Sequence, residues 1–274
     1  MTKPGLSSPP LNVNPPQPST QVTSLVGNSH SNIVGEITPL ALAARSPTLK
    51  RMKLPREVPV MTLPEATLFP QALLPLYIFE PRYRQMLADT LNSHRMFSVA
   101  MQRANTARET PAVMAGLGLI RVSVGHKDGT SHLIMQGLTR VELEEVVQLK
   151  PYRVARVRPI ETPPCDSVAA DALLIKVREL LKEWMELGVP FPFPLLSQPQ
   201  KPDTATKFSA KEILGYLDSI TDPEQAADLI SCAVLKGAVE RQAILEAVDV
   251  ETRLRRLTKF LLVEVRRKRE EGRE

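Results

Sequence analysis

"LLPLYIFEPRYRQMLADTL", residues 73–91, is an apolar run that reaches Phe79 and passes at once into Glu80-Pro81-Arg82-Tyr83-Arg84. The part "LLPLYIF" (73–79) reads as a β-strand. Pro75 puts that strand at a sheet edge or a bulge, because proline has no N–H to give a central ladder. "PRYRQMLADTLNS" (81–93) reads as a helix. Pro81 suits the first turn, where its missing N–H costs little, and Tyr83, Met86, Leu87, Thr90 and Leu91 recur at helical spacing. The stretch therefore predicts an edge strand turning straight into a helix through a charged corner.

Working outward, "VPVMTL" (58–63), "MFSVAMQ" (96–102), "LGLIRVSVGH" (117–126), "SHLIMQGLTRVELEEVV" (131–147) and "YRVARVRPI" (152–160) read as further strands. Asp128-Gly129 between two alternating runs signals a hairpin. A two-residue turn there pairs residue 126 with 131 and 125 with 132, which sends His126 and His132 to opposite faces. Gly137 is expected to break or bulge the return strand. Residues 57–162 thus predict a β-rich domain of six strands with one early helix, a small barrel or pseudobarrel.

After Pro163-Pro164 the texture is helical. Residues 167–187 place Leu173, Val177, Leu180, Trp184 and Leu187 on one stripe. A Pro-rich connector, "GVPFPFPLLSQPQKPD" (188–203), precedes helices over 209–219, 223–232, 237–247 and 250–270. Asp222-Pro223 and Asp249-Val250 carry helix-start signals. Val250, Leu254, Leu257, Leu261 and Val265 form the apolar stripe of the last helix. The fold class is α+β, with a helical domain over 163–272 and a connector at 188–208. Residues 1–56 hold nine prolines and no aromatic residue, too little apolar surface to offset the entropy of ordering, and are expected to be disordered.

The composition excludes several chemistries. No run approaches the roughly 18 apolar residues of a membrane helix, and the N-terminus lacks a secretory pattern. A cytoplasmic protein is expected, with Cys165 and Cys232 as reduced thiols outside any metal-ligand spacing. There is no phosphate-binding loop, no G-x-S-x-G elbow and no H-E-x-x-H. Glu144 and Glu145 are adjacent on a strand and point apart, so they form no acid–base pair. No catalytic residue, metal or cofactor is expected. The formal net charge is +5, and residues 250–274 hold nine basic against five acidic side chains. The rest is nearly neutral, which makes nucleic acid an unfavoured partner despite the basic last helix.

"VPVMTLPEATLFPQALLPLYIFEPRYRQML" (58–87) resembles the opening of the Lon protease N-terminal, substrate-binding domain family. Leu63-Pro64, Phe69-Pro70 and Pro75-Leu76-Tyr77-Ile78-Phe79-Glu80-Pro81-Arg82-Tyr83 follow in that family's order. "MQGLTRVEL" (135–143) is similar to its Gly-x-x-Arg strand, "PYRVARVRPI" (151–160) to its Pro-Tyr strand, and residues 220–265 to its helical half. The resemblance implies a PUA-like β domain with a helical bundle, and binding of unfolded or apolar polypeptide segments in protein quality control. The chain ends at Glu274, so a stand-alone, non-catalytic recognition module is expected, without ATPase or Ser–Lys peptidase. An adaptor for a separate protease and an RNA-binding protein are the alternatives.

Candidate polypeptide contacts are Leu74, Leu76, Tyr77, Phe79 and Tyr83, with Phe191 and Phe193 of the connector. Aromatic burial tendencies draw Phe79 and Tyr83 toward the core. Glu80, Arg82 and Arg84 are expected to tie the strand-to-helix corner. An edge strand at Pro75 can accept an extended peptide by strand addition, and the groove between the two halves is a second expected contact region.

Overall fold

The computed structural model describes residues 52–106, 109–188 and 210–271, which belong to one compact unit. Most of the segment expected to be disordered, and connector residues 189–209 with Phe191 and Phe193, lie outside the described residues. The strands are β1 (Glu57–Leu63), β2 (Leu73–Ile78), β3 (Met96–Met101), β4 (Met114–Gly125), β5 (Ser131–Gln148) and β6 (Arg153–Pro159). Helix α1 (Pro81–Leu91) follows β2. Then come α2 (Ser167–Glu186), α3 (Ala210–Ser219), α4 (Pro223–Val234), α5 (Ala238–Glu246) and α6 (Val250–Glu271).

Five strands close into a ring. β5 pairs antiparallel with β4, β4 with β3, β3 runs parallel to β1, β1 pairs with β6, and β6 returns to β5. Closure protects the paired backbone of these five strands from the edge-to-edge contacts that invite aggregation. β5 is eighteen residues long, and its length lets it serve two neighbours in turn. Residues 141–148 pair with β6, whereas residues 131–136 pair with β2. β2 is thus appended to the ring.

Apolar side chains fill the β half in two clusters. α1 covers one of them with Tyr83, Met86 and Leu87 against Phe97, Ile120, Leu133 and Met135. The other holds Val58, Val60, Leu117, Val141 and Val157. Two glycines permit a close crossing over the sheet. A Cβ at Gly116 would lie 2.0 Å from the Leu68 carbonyl oxygen, and one at Gly137 would lie 1.9 Å from that of Phe69. Only glycine leaves room for the chain there. The predicted irregularity near Gly137 is a bulge, since Gly118 pairs with Gly137 and Leu117 with Thr139, leaving Leu138 as the extra residue.

The helical half packs α2 against α6 and α4 around Trp184, Ile230, Leu254, Leu257 and Leu261. All five expected stripe residues of α6 are buried. On α2 the buried face is turned slightly from the expected one. Leu174 and Leu181 are in the core, while Leu173 and Leu187 are half-buried. The helix starts behave as their sequences require. Asp222 accepts the Gln225 N–H at 3.4 Å with Pro223 in the first turn, and Asp249 accepts the Thr252 N–H at 2.7 Å, satisfying otherwise orphaned donors.

Candidate functional site

Among the described residues β2 pairs with β5 alone. The alternation of the ladder fixes which groups face outward. The Gly137 N–H donates to the Ala72 carbonyl, and the His126 N–H to that of Thr130. Stepping by two along each strand, Leu74, Leu76 and Ile78 spend their backbone groups on β5. Leu73, Pro75 and Tyr77 turn theirs to the open side. Pro75 therefore stands where its missing N–H breaks no ladder bond, as the edge reading required.

The same alternation divides the predicted contact residues. Leu74 and Leu76 lean onto the core beneath, beside Ile78. Tyr77 and Phe79 point the other way, 47% and 58% exposed. Phe79 thus corrects the expectation that it is core, because it shares the outward parity of Tyr77. Tyr83 is core at 5% exposure, so its ring offers no docking surface.

Tyr77 and Phe79 stack with ring centroids 5.8 Å apart, and Tyr77 meets His132 at 4.7 Å. His132 is opposite Tyr77 on one side and Val124 on the other. Val122 and Val124 are exposed beside it. The result is a shelf of three rings flanked by valines, lying along an open strand edge.

The hairpin beneath the shelf departs from the expected turn. Residue 126 faces 130, 125 faces 131 and 124 faces 132. The loop is Lys127-Asp128-Gly129, three residues with Gly129 at φ 81°, the left-handed position such a loop needs. One extra loop residue reverses the parity of one strand against the other. His126 and His132 consequently share a face, with Nε2 of His126 2.7 Å from Nδ1 of His132 and their rings edge-to-face at 4.9 Å.

The charged corner is a tie. Arg82 donates to Glu80 at 2.8 Å and to Glu109, and its guanidinium lies 4.3 Å over the Tyr83 ring. The Tyr83 hydroxyl accepts from the Thr62 N–H and lies 2.9 Å from Glu109 Oε1. Burial opposes charge on Arg82, but the carboxylates of Glu109 and Glu80 outweigh it and hold the guanidinium above its ordinary range. Burial and the Glu109 contact push the Tyr83 hydroxyl up as well. Arg84 extends elsewhere, over the hairpin. A Cβ at Gly129 would fall 1.7 Å from its Nη2.

The junction of the two halves is packed among the described residues. Phe69 and Ala72 enter the helical core cluster. Arg140 of β5 donates to Asp228 of α4 through both terminal nitrogens and through Nε to the Leu245 carbonyl at 3.0 Å. Arg253 of α6 binds the Ala247 carbonyl, Glu224 and Thr162. Burial pushes its guanidinium down while Asp228 opposes the shift. The expected groove is filled here by these side chains. The sequence showed the Arg140 motif but not its partners.

The remaining candidates place simply. Cys165 is exposed and Cys232 is half-buried, with burial pushing its thiol up to about 11. Several bases of the α6 C-terminal cluster are paired with acids: Arg267 with Glu264 at 2.8 Å and Lys268 with Glu271 at 2.6 Å within the helix, and Arg269 with Glu183 of α2. Among the described residues no cluster of three or more His, Cys, Asp or Glu is placed to hold a metal ion, and no helix is long and apolar enough to cross a membrane.

These features define an α+β protein, a closed barrel with a fused helical bundle, whose candidate site is an exposed sheet edge lined by rings. The family model described as the ATP-dependent protease La (LON) substrate-binding domain matches residues 57–263, and the chain belongs to that family. The Lon protease of Dictyoglomus thermophilum is 26% identical over 215 residues, covering 77% of this chain and 25% of that protein. Lon protease 2 of Myxococcus xanthus is 28% identical over 227 residues, covering 81% and 25%. The chain spans about a quarter of the length of these relatives. The N terminal domain of Mycobacterium avium complex Lon protease shares the fold, at TM-score 0.57 and 19% identity, covering 75% of this chain and 98% of that one.

Proposed function

We propose that this chain is a non-catalytic polypeptide-recognition module that takes extended, apolar segments of unfolded protein on the open edge of β2, in protein quality control in the cytoplasm. The carrying observation is the coincidence of a strand edge that is unpaired among the described residues with the exposed Tyr77, Phe79 and His132 rings. A segment adding as a strand gains main-chain hydrogen bonds at Leu73 and Tyr77 and sets alternate side chains on the shelf. Pro75 withholds one donor from the middle of that edge, which weakens pairing and suits transient capture over permanent assembly. Membership of the substrate-binding family supports the reading.

The ion pairing along α6 disfavours the RNA alternative, because bases already matched by acids release few counterions on meeting phosphate. The test is fluorescence anisotropy with a labelled, permanently unfolded polypeptide and a labelled single-stranded RNA, each at low and high salt. Salt-resistant binding of the polypeptide, lost in a Tyr77→Ser/Phe79→Ser double variant, is the expected result. Salt-sensitive binding of RNA alone, or polypeptide binding untouched by the double variant, would overturn the proposal.

A further inference from the structure

We propose that the His126–His132 pair makes the ring shelf proton-sensitive: the neutral or singly protonated pair holds His132 against Tyr77, and double protonation releases it and weakens peptide capture. The proposal rests on the recognition reading above. His126 is a positioning residue in it, since it reaches the shelf only through His132.

The geometry carries the argument. At 2.7 Å, His126 Nε2 and His132 Nδ1 share one hydrogen bond, in which one ring donates and the other accepts. That bond needs at least one nitrogen without a proton. Once both are protonated, two donors and two positive charges face each other, and the contact becomes repulsive. His132 is also the ring that extends the Tyr77–Phe79 stack, so separating the pair acts directly on the shelf. Both histidines are exposed, and imidazoles gain their charge between pH 8 and 5.

The surroundings do not cancel the effect. From the turn, Asp128 faces His126, and its carboxylate is held below the usual range by the Thr130 hydroxyl and N–H. It stays ionised through this window and offers one fixed negative charge, which does not remove the conflict between two positive rings. Lys127 in the same turn and Arg84 from α1, over Gly129, both oppose positive charge. Tyr77 from β2 is the uncharged neighbour that reports the change.

The experiment measures the affinity of a capped peptide that alternates Phe and Val with Thr and carries no titratable group. Wild type is compared with His126→Gln, whose amide can bond His132 but cannot charge, over about pH 7.5 to 5.5. Wild type is expected to weaken roughly fivefold toward acid, the size of one exposed like-charge contact, while His126→Gln stays flat at the neutral affinity. In parallel, the Tyr77 ring resonances should move with pH further in wild type than in His126→Gln, where His132 alone remains to gain charge, with or without peptide. Equal pH responses in the two proteins, or Tyr77 resonances indifferent to pH, would overturn the switch. Failure of wild type to bind at any pH would remove the recognition reading and the regulatory role with it, whereas binding that ignores pH removes the switch alone.

Discussion

Arg140 of β5 and Asp228 of α4, 88 positions apart, meet as a buried two-pronged ion pair, with Nη1 to Oδ2 at 2.8 Å and each side chain 2% exposed. The pair joins the barrel to the helical bundle at a point where water cannot replace either partner.

Removing one member leaves an uncompensated buried charge. Arg140→Ala and Asp228→Ala should each destabilise the fold by about 3–5 kcal/mol. The double variant Arg140→Met/Asp228→Leu should recover part of the loss, because neither member of the pair is stranded, although Arg253 gives up its 3.7 Å contact with Asp228 and keeps Glu224 alone. Urea unfolding followed by Trp184, buried in the bundle, reads these differences. Additive losses in the double variant would refute the coupling.

Gly137 and Gly215 should respond oppositely to alanine. At Gly137 the new Cβ meets the Phe69 carbonyl at 1.9 Å, backbone that cannot easily yield, and a loss of about 1–3 kcal/mol is expected. Gly215 is exposed within α3 with nothing within 4 Å of its Cβ position, so Gly215→Ala should gain about 0.5–1 kcal/mol. Thermal midpoints of the two variants against wild type check both signs.

Alkaline pH should weaken the fold through its tyrosines. The Tyr152 hydroxyl is pushed up to about 12, by burial and by its 2.7 Å contact with Asp89, and Tyr83 is raised in the same sense. A phenol whose folded value is raised stabilises fully below its unfolded value near 10, and that stability is lost as pH rises toward the folded value. Stability should therefore fall between about pH 10 and 12, less steeply in Tyr152→Phe and Tyr83→Phe. Parallel slopes in wild type and variants would contradict this.

Much of the fold was legible because local chemistry decides it. Pro75 marked the edge, Asp222-Pro223 and Asp249 marked helix starts, and the α6 stripe announced its buried face. The parity of β2 was not legible, since "LLPLYIF" is apolar on both faces and no polar residue marks the outside. The histidine pairing hung on a single loop residue, Lys127-Asp128-Gly129 instead of Asp128-Gly129, and one residue reverses a face. Arg140 and Asp228 are joined only by the tertiary fold, beyond any periodicity.

The central claim is strand addition at β2, and amide hydrogen exchange tests it most directly. Backbone exchange would be followed residue by residue, free and with saturating unfolded polypeptide. The account predicts new protection at the outward amides of Leu73 and Tyr77, with Leu74, Leu76 and Ile78 already slow in the free protein. Protection confined to α2 or α6, with Leu73 and Tyr77 unchanged, would contradict it.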